Sequence, residues 1–251
     1  MSDYVTVNGV RTWYSASGEG PPLVLLHGGF SHSHDFGMLL GSLTPAFRVL
    51  TPDRRGHGRT PDVPGPVTPE DLVADVVSFI STVVGGPVLL AGYSAGGVVA
   101  QLVALARPDL VSRLALISTA FETSGWIFLP DPSGEMPAVV VDAYAEVSPD
   151  GRDHFPVVLE KFAKLAQTSA RVEVERIGCP TLVVAADDDL VRLDHSVALY
   201  EALPAGQLAI LPGTSHLVLF EKPDLLAGLL TSFLTEDPAP MMPIRRAQPA
   251  G

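Results

Sequence analysis

Residues 88–100 read Val-Leu-Leu-Ala-Gly-Tyr-Ser-Ala-Gly-Gly-Val-Val-Ala, and no other stretch restricts the fold so tightly. Val88–Ala91 is apolar without polar alternation, the pattern of a strand covered on both faces. An apolar helical stretch follows Gly92-Tyr93-Ser94-Ala95-Gly96. A chain that leaves a buried strand and enters a helix this quickly must turn sharply. Side chains two positions before and after the serine would collide with strand or helix, and glycine occupies both places. Such a turn lifts the Ser94 hydroxyl above the sheet edge and points a helix N-terminus at whatever that hydroxyl attacks. A serine hydroxyl alone is a weak nucleophile, so the pattern needs a base and an orienting acid elsewhere in the chain.

The rest of the chain repeats a strand–helix rhythm. Tyr4–Val7 and Val10–Tyr14 flank Asn8-Gly9, a hairpin signature. Leu23–Leu26 and Phe47–Leu50 read as strands. Thr68-Pro69-Glu70-Asp71 opens a helix with a hydroxyl cap, a first-position proline and first-turn acids, and Leu72, Val76, Ile80 and Val83 recur at helical spacing. The strand Val88–Ala91, a helix ending near Ala106 and the strand Leu114–Ile117 follow. After residue 176 come the strand Thr181–Ala185, a helix near 195–203, the strand Gln207–Leu211 and a helix after Pro223. This alternation predicts an α/β class with a doubly wound, mostly parallel sheet. Residues 120–176 break the rhythm with Pro130, Pro132, Pro137, Pro149 and Pro156 around helical stretches near 138–146 and 156–168. The expected division is a core of residues 1–119 and 177–235, an inserted helical cap of 120–176, and an irregular tail of 236–251.

Composition excludes several classes. With 251 residues, 47% of them apolar, the chain suits one domain with a large core. A formal charge of −12 argues against nucleic acid and anionic membrane surfaces as partners. Cys179 is the single cysteine, so no internal disulfide forms, and a small core role in a reducing, cytoplasmic compartment is expected. The N-terminus lacks a basic region followed by an apolar stretch, so no signal peptide is expected. No membrane span is expected either, since no run approaches the roughly 20 apolar residues a spanning helix needs. Monomer and homo-oligomer remain equally open.

The base and the acid appear where a doubly wound sheet would bring them. Residues just past the C-terminal ends of its strands converge on one edge. Ser94 follows one strand, Asp187, Asp188 and Asp189 follow Thr181–Ala185, and His216 follows Gln207–Leu211 in the loop Pro212–His216. The order Ser, Asp, His is that of a known hydrolase geometry.

With these residues in place, the chain resembles the α/β-hydrolase superfamily over residues 3 to 234. His27-Gly28-Gly29 resembles its oxyanion loop, Asp53-Arg54-Arg55-Gly56-His57-Gly58 its Asp-x-Arg-Gly-x-Gly loop, Gly92–Gly96 its nucleophile elbow, and Gly213-Thr214-Ser215-His216 its histidine loop. The resemblance implies an eight-stranded-type sheet flanked by helices with a small helical cap. It also implies roles: Ser94 as nucleophile, His216 as base, and Asp189 as orienting acid, chosen because Val191 stands two positions on. The backbone N–H groups of Ala95 and Gly29 would bind the oxyanion, with Phe30 as the alternative to Gly29. Ala186 replaces the family's usual glycine before the acids, so Asp187 and Asp188 stay as alternatives, otherwise read as solvated turn residues. Glu122 is a further alternative acid.

Phe30, Tyr93, Trp126, Phe128 and Leu217 are the candidate pocket residues, with Val139, Val140 and Leu159 as apolar cap residues, implying a small, largely apolar substrate. His27 and His57 read as structural hydrogen-bonders, and His154 and His195 as surface or cap residues. His32 and His34 form His-x-His without a matching acid or cysteine cluster, so no metal and no cofactor are expected; their place beside the oxyanion loop suggests pocket lining. The Arg54, Arg55 and Arg59 cluster reads as pairing with local acids. The expected activity is a serine hydrolase acting on an ester, lactone or related acyl bond. A carbon–carbon hydrolase, a cofactor-free perhydrolase or haloperoxidase, and a thioesterase would use the same residues, and a small-ligand receptor would keep the fold without turnover.

Overall fold

The computed structural model describes residues 1–242. Among them, eight strands form one sheet in the order β1-β2-β4-β3-β5-β6-β7-β8. These are β1 (Ser2–Val7), β2 (Val10–Ser17), β3 (Pro22–Leu26), β4 (Arg48–Pro52), β5 (Val88–Tyr93), β6 (Val111–Ile117), β7 (Thr181–Asp188) and β8 (Gly206–Ser215). The first hairpin turns at Asn8 and Gly9, both at positive φ, the geometry an Asn-Gly pair favours. β2 also pairs antiparallel with β4, and from β4 onward every neighbouring pair is parallel.

The apolar strands are apolar throughout because helices cover both faces. Val24, Leu26, Leu90, Leu114, Leu116 and Val183 join one buried cluster, whereas Leu23, Leu25, Leu89, Ala91, Ile117 and Val184 join the other. Successive residues thus feed opposite faces, the two-residue period of a strand. The first face is covered by α2 (Pro69–Phe79), α3 (Ala95–Ala106) and α6 (Leu193–Ala202), and the second by α1 (Gly37–Leu43), α7 (Val218–Glu221) and α8 (Pro223–Thr235). In α2 the hydroxyl of Thr68 accepts from Asp71 N at 3.1 Å while Asp71 Oδ2 accepts from Thr68 N at 3.1 Å, a reciprocal capping box. The helix then widens into a π-turn over Ile80–Val84 that stops at Gly85, φ 78°.

Residues 120–176 leave the sheet between β6 and β7 and carry α4 (Ala138–Val147) and α5 (Phe155–Thr168). Phe155, Val158, Leu159 and Phe162 of α5 are buried in the first cluster. Asp62 anchors the same segment: it accepts from Lys161 Nζ, lies 2.9 Å from His154 Nε2, and its N–H donates to Asp150 at 2.7 Å. After α8, Arg113 donates to the carbonyls of Phe233 and Glu236 at 3.0 Å each and pairs with Asp237. The expected tail beyond residue 242 lies outside the described residues. Among the described residues, no helix is long and apolar enough to cross a membrane.

Candidate active site

Ser94 stands between β5 and α3 with φ 53° and ψ −123°. A non-glycine residue there costs on the order of 1–3 kcal/mol and persists only when its surroundings hold it. Ser94 N donates to Ile117 O at 2.9 Å, and Ser94 O accepts from Gly97 N at 2.9 Å and Thr119 Oγ1 at 2.8 Å. A Cβ on Gly92 would strike the Gly96 carbonyl, and one on Gly96 would strike those of Leu26 and His27. Gly97, outside the five-residue pattern, is equally constrained: a Cβ there would sit 2.6 Å from Thr119.

His216 follows the last residue of β8. Its Nε2 lies 3.0 Å from Ser94 Oγ and its Nδ1 2.6 Å from Asp189 Oδ1. Asp189 follows β7 with its side chain 1% exposed, and accepts from the N–H groups of Ala186 and Val191 at 3.3 Å each. Burial alone would raise the Asp189 carboxyl. The hydrogen bond and charge of His216, with the Val191 N–H, instead hold it below the ordinary carboxylate range. A proton on Nδ1 facing Asp189 leaves the Nε2 lone pair facing the serine, the tautomer a general base requires. Glu122 does not reach His216; its Oε1 accepts from Ser124 Oγ at 2.8 Å.

Asp187 is exposed, as a solvated residue would be, but it lies near the end of β7 and has a structural task as well. It accepts from Gly213 N at 2.8 Å and Thr214 N at 3.0 Å, while Glu221 accepts from Ser215 N at 2.7 Å and Ser215 Oγ at 2.8 Å. Two carboxylates therefore clamp the three residues before His216. The signal was present: a Gly-Thr turn exposes N–H groups that need acceptors, and an acid at the end of the neighbouring strand can supply them.

Gly29 lies against Ala95, since a Cβ on Gly29 would sit 3.6 Å from the Ala95 Cβ. The carbonyl of the preceding residue, Gly28, is held by Arg54 Nη2 at 2.8 Å and His27 Nδ1 at 2.8 Å. In a trans peptide the N–H points opposite to the carbonyl, so fixing Gly28 O fixes the Gly29 N–H. Phe30 has φ 57°.

Ser94, Ala95, Gly29 and His216 open into a cavity of about 290 Å³. Phe30, Trp126 and Phe128 line it. The ring of Trp126 meets that of His216 edge-on at 6.2 Å, and its backbone bridges Val191, joining the start of the inserted segment to the acid loop. Tyr93 and Leu217 do not line it. The Tyr93 hydroxyl donates to His216 O at 2.7 Å, placing the phenol behind the histidine, and Leu217 faces outward, 54% exposed. Val139 is an exposed surface residue and Leu159 belongs to the core. Cavity residues that the sequence did not single out include Val98, Leu102, Met136 and Leu165, whose side chains cannot be told from core by spacing alone.

His27 and His57 are fully buried, and burial with the charge of Arg54 pushes both imidazoles down, His57 to about 3. His195 is not a surface residue: it is 7% exposed, stacks on Phe121 at 4.3 Å and accepts from Phe121 N at 3.2 Å. His32 and His34 contact each other, rings 5.0 Å apart, and line no part of the cavity. Among the described residues, no group of three or more His, Cys, Asp or Glu is placed to hold a metal. Of the arginine cluster, Arg55 pairs with Asp75 at 2.6 Å and Arg59 lies 3.8 Å from Asp53. Arg54 departs from the expected pairing: it forms no ion pair with any described carboxylate.

Comparison with known proteins bears on the family and the fold. Residues 23–229 match the model of the alpha/beta hydrolase family. A pyrrolizixenacetamide deacetylase of Xenorhabdus hominickii is 26% identical over 94% of this chain and 99% of its own. A pimeloyl-[acyl-carrier protein] methyl ester esterase of Chromobacterium violaceum is 28% identical over 79% of this chain and 88% of its own. The crystal structure of an enol-lactonase from Burkholderia xenovorans superposes with a TM-score of 0.77 at 27% identity, over 93% of this chain and 100% of the other. A match spanning most of the chain, the eight-stranded sheet and a run of hydrolase relatives together make this chain a member of the alpha/beta hydrolase family.

Proposed function

We propose that this chain is a serine hydrolase that cleaves a carboxylic ester, lactone or related acyl bond of a small, largely apolar substrate through an acyl-enzyme intermediate. The observation that carries the proposal is the unbroken hydrogen-bond chain Ser94–His216–Asp189 opening into an apolar cavity. Relatives named as an esterase, a deacetylase and a lactonase support hydrolysis of an acyl bond as the reaction class.

Ser94 Oγ attacks the substrate carbonyl carbon as its proton passes to His216 Nε2. Asp189 keeps the imidazole oriented and stabilises the imidazolium. Negative charge moves to the former carbonyl oxygen, which takes hydrogen bonds from the N–H groups of Ala95 and Gly29; one such donor is worth roughly 3–4 kcal/mol in the transition state. The tetrahedral species collapses, the bond to the leaving oxygen breaks, and His216 returns its proton to that oxygen. Water then repeats the sequence on the acyl-serine: its proton goes to His216, its oxygen to the acyl carbon, and the proton finally returns to Ser94. In this scheme residues 1–119 and 177–235 form the catalytic core, and residues 120–176 act as a cap supplying the apolar walls.

Replacing Ser94 by Ala is expected to lower kcat for short p-nitrophenyl esters by about 10⁴-fold or more and to abolish labelling by a fluorophosphonate. Near-wild-type turnover in the variant would refute a serine nucleophile.

A further inference from the structure

Arg54 is 6% exposed, lines the cavity, and has Nη2 donating to Gly28 O while Nε has no acceptor. A guanidinium out of water without a counter-charge is costly, and such groups are normally paired. Two acids act on it without forming an ion pair: Asp35, whose carboxyl burial pushes up to about 6 and which still carries most of its charge at pH 7, and Asp75, already held by Arg55. Glu122 is the only carboxylate among the described residues that line the cavity, and it is engaged by Ser124 and faces Arg171 at 4.0 Å.

Building on the acyl-hydrolase reading, we propose that Arg54 is an anion subsite of the cavity and that the substrate is a small acyl compound carrying a carboxylate on its acyl side. The fork of a guanidinium matches a carboxylate, and one positive charge suits a monoanion. Position fits as well. Arg54 is one hydrogen bond from Gly28, and a Cβ on Gly28 would sit 3.5 Å from Ser94 Cβ. A carboxylate bound there lies beside the reacting carbonyl, so it belongs to a short acyl chain, while the apolar walls take the remainder.

The test compares mono-p-nitrophenyl glutarate with p-nitrophenyl valerate, anionic and neutral esters of similar length. The wild type is expected to show a kcat/KM for the anionic ester about 10-fold or more above the neutral one, and Arg54→Gln to collapse that ratio, with Arg54→Lys restoring part of it. A wild type without the preference overturns the proposal. So does an Arg54→Gln variant that lowers both esters equally through kcat, since Arg54 then only positions the Gly28–Gly29 peptide. Should no ester be turned over, the serine-hydrolase reading fails separately. Calorimetric binding of glutarate against glutaramide to the Ser94→Ala protein then decides: equal binding of the two overturns the anion subsite, and selective binding of glutarate supports it.

Discussion

Three consecutive acids, Asp187, Asp188 and Asp189, sit within a few ångströms of one histidine loop and have different tasks. Asp189 touches the imidazole, Asp187 accepts two N–H groups of the loop that carries it, and Asp188 is exposed at the end of β7. Asp189 was legible through the family resemblance, which places a branched apolar residue two positions after the acid, and Val191 stands there, 1% exposed with its N–H on the carboxylate. The clamp by Asp187 was not, because it depends on the pairing of β7 with β8, whose register shifts between Ala186 and Asp188. The expected order of effects follows. Asp189→Asn lowers kcat by about 10³–10⁴-fold, as loss of the orienting acid presents the wrong tautomer. Asp187→Asn lowers it by roughly 10-fold through a looser loop, and Asp188→Asn changes it by less than about 2-fold. Steady-state kinetics on p-nitrophenyl acetate, with circular dichroism to confirm folding, would contradict this assignment if Asp188→Asn matched Asp189→Asn.

At the scale of elements, the parallel strands were the clearest part of the chain because burial on both faces leaves no polar positions. The helix α1 was not foreseen: Gly37 and Gly41 lower its propensity, and it forms because Leu39 and Leu43 are fully buried against the second face. β8 runs past the expected end at Leu211 to Ser215, since β7 supplies partners beyond any local pattern. The placement of α5 was likewise invisible, because it rests on Asp62, far away in sequence. Burial would raise the Asp62 carboxyl, yet hydrogen bonds from Lys161 and His154 hold it below the ordinary range. A folded-state value below the unfolded one stabilises the docked segment above the unfolded value, near 3.8, and that contribution fades as pH falls through the folded value. Asp62→Asn should therefore weaken docking at pH 7, by about 2 kcal/mol for lost charge-assisted bonds. Hydrogen exchange over 152–168 should be faster in the variant at pH 7, and the difference between the two proteins should shrink as the pH falls below the unfolded value and through the folded one. A constant difference across that range would assign the anchoring to apolar packing by α5 instead.

At the scale of the whole molecule, a chain of net charge −12 holds, among its described residues, a buried guanidinium without an ion pair at a largely apolar cavity. The two act on an anionic substrate over different distances. The overall field repels it in solution and is screened, with a Debye length of about 30 Å at 0.01 M salt and about 10 Å at 0.1 M. The local attraction to Arg54 operates out of water, where salt screens much less. Raising ionic strength therefore removes the repulsion while leaving most of the attraction. For mono-p-nitrophenyl glutarate, kcat/KM should rise several-fold between about 0.01 M and 0.3 M sodium chloride, whereas the neutral valerate ester should hold nearly constant. The rise should appear in KM with kcat little changed, because screening alters encounter and binding and not the chemical step. A fall for the anionic ester would mean that short-range attraction at an exposed site outweighs the acidic surface, contradicting the burial of Arg54 on which the prediction stands.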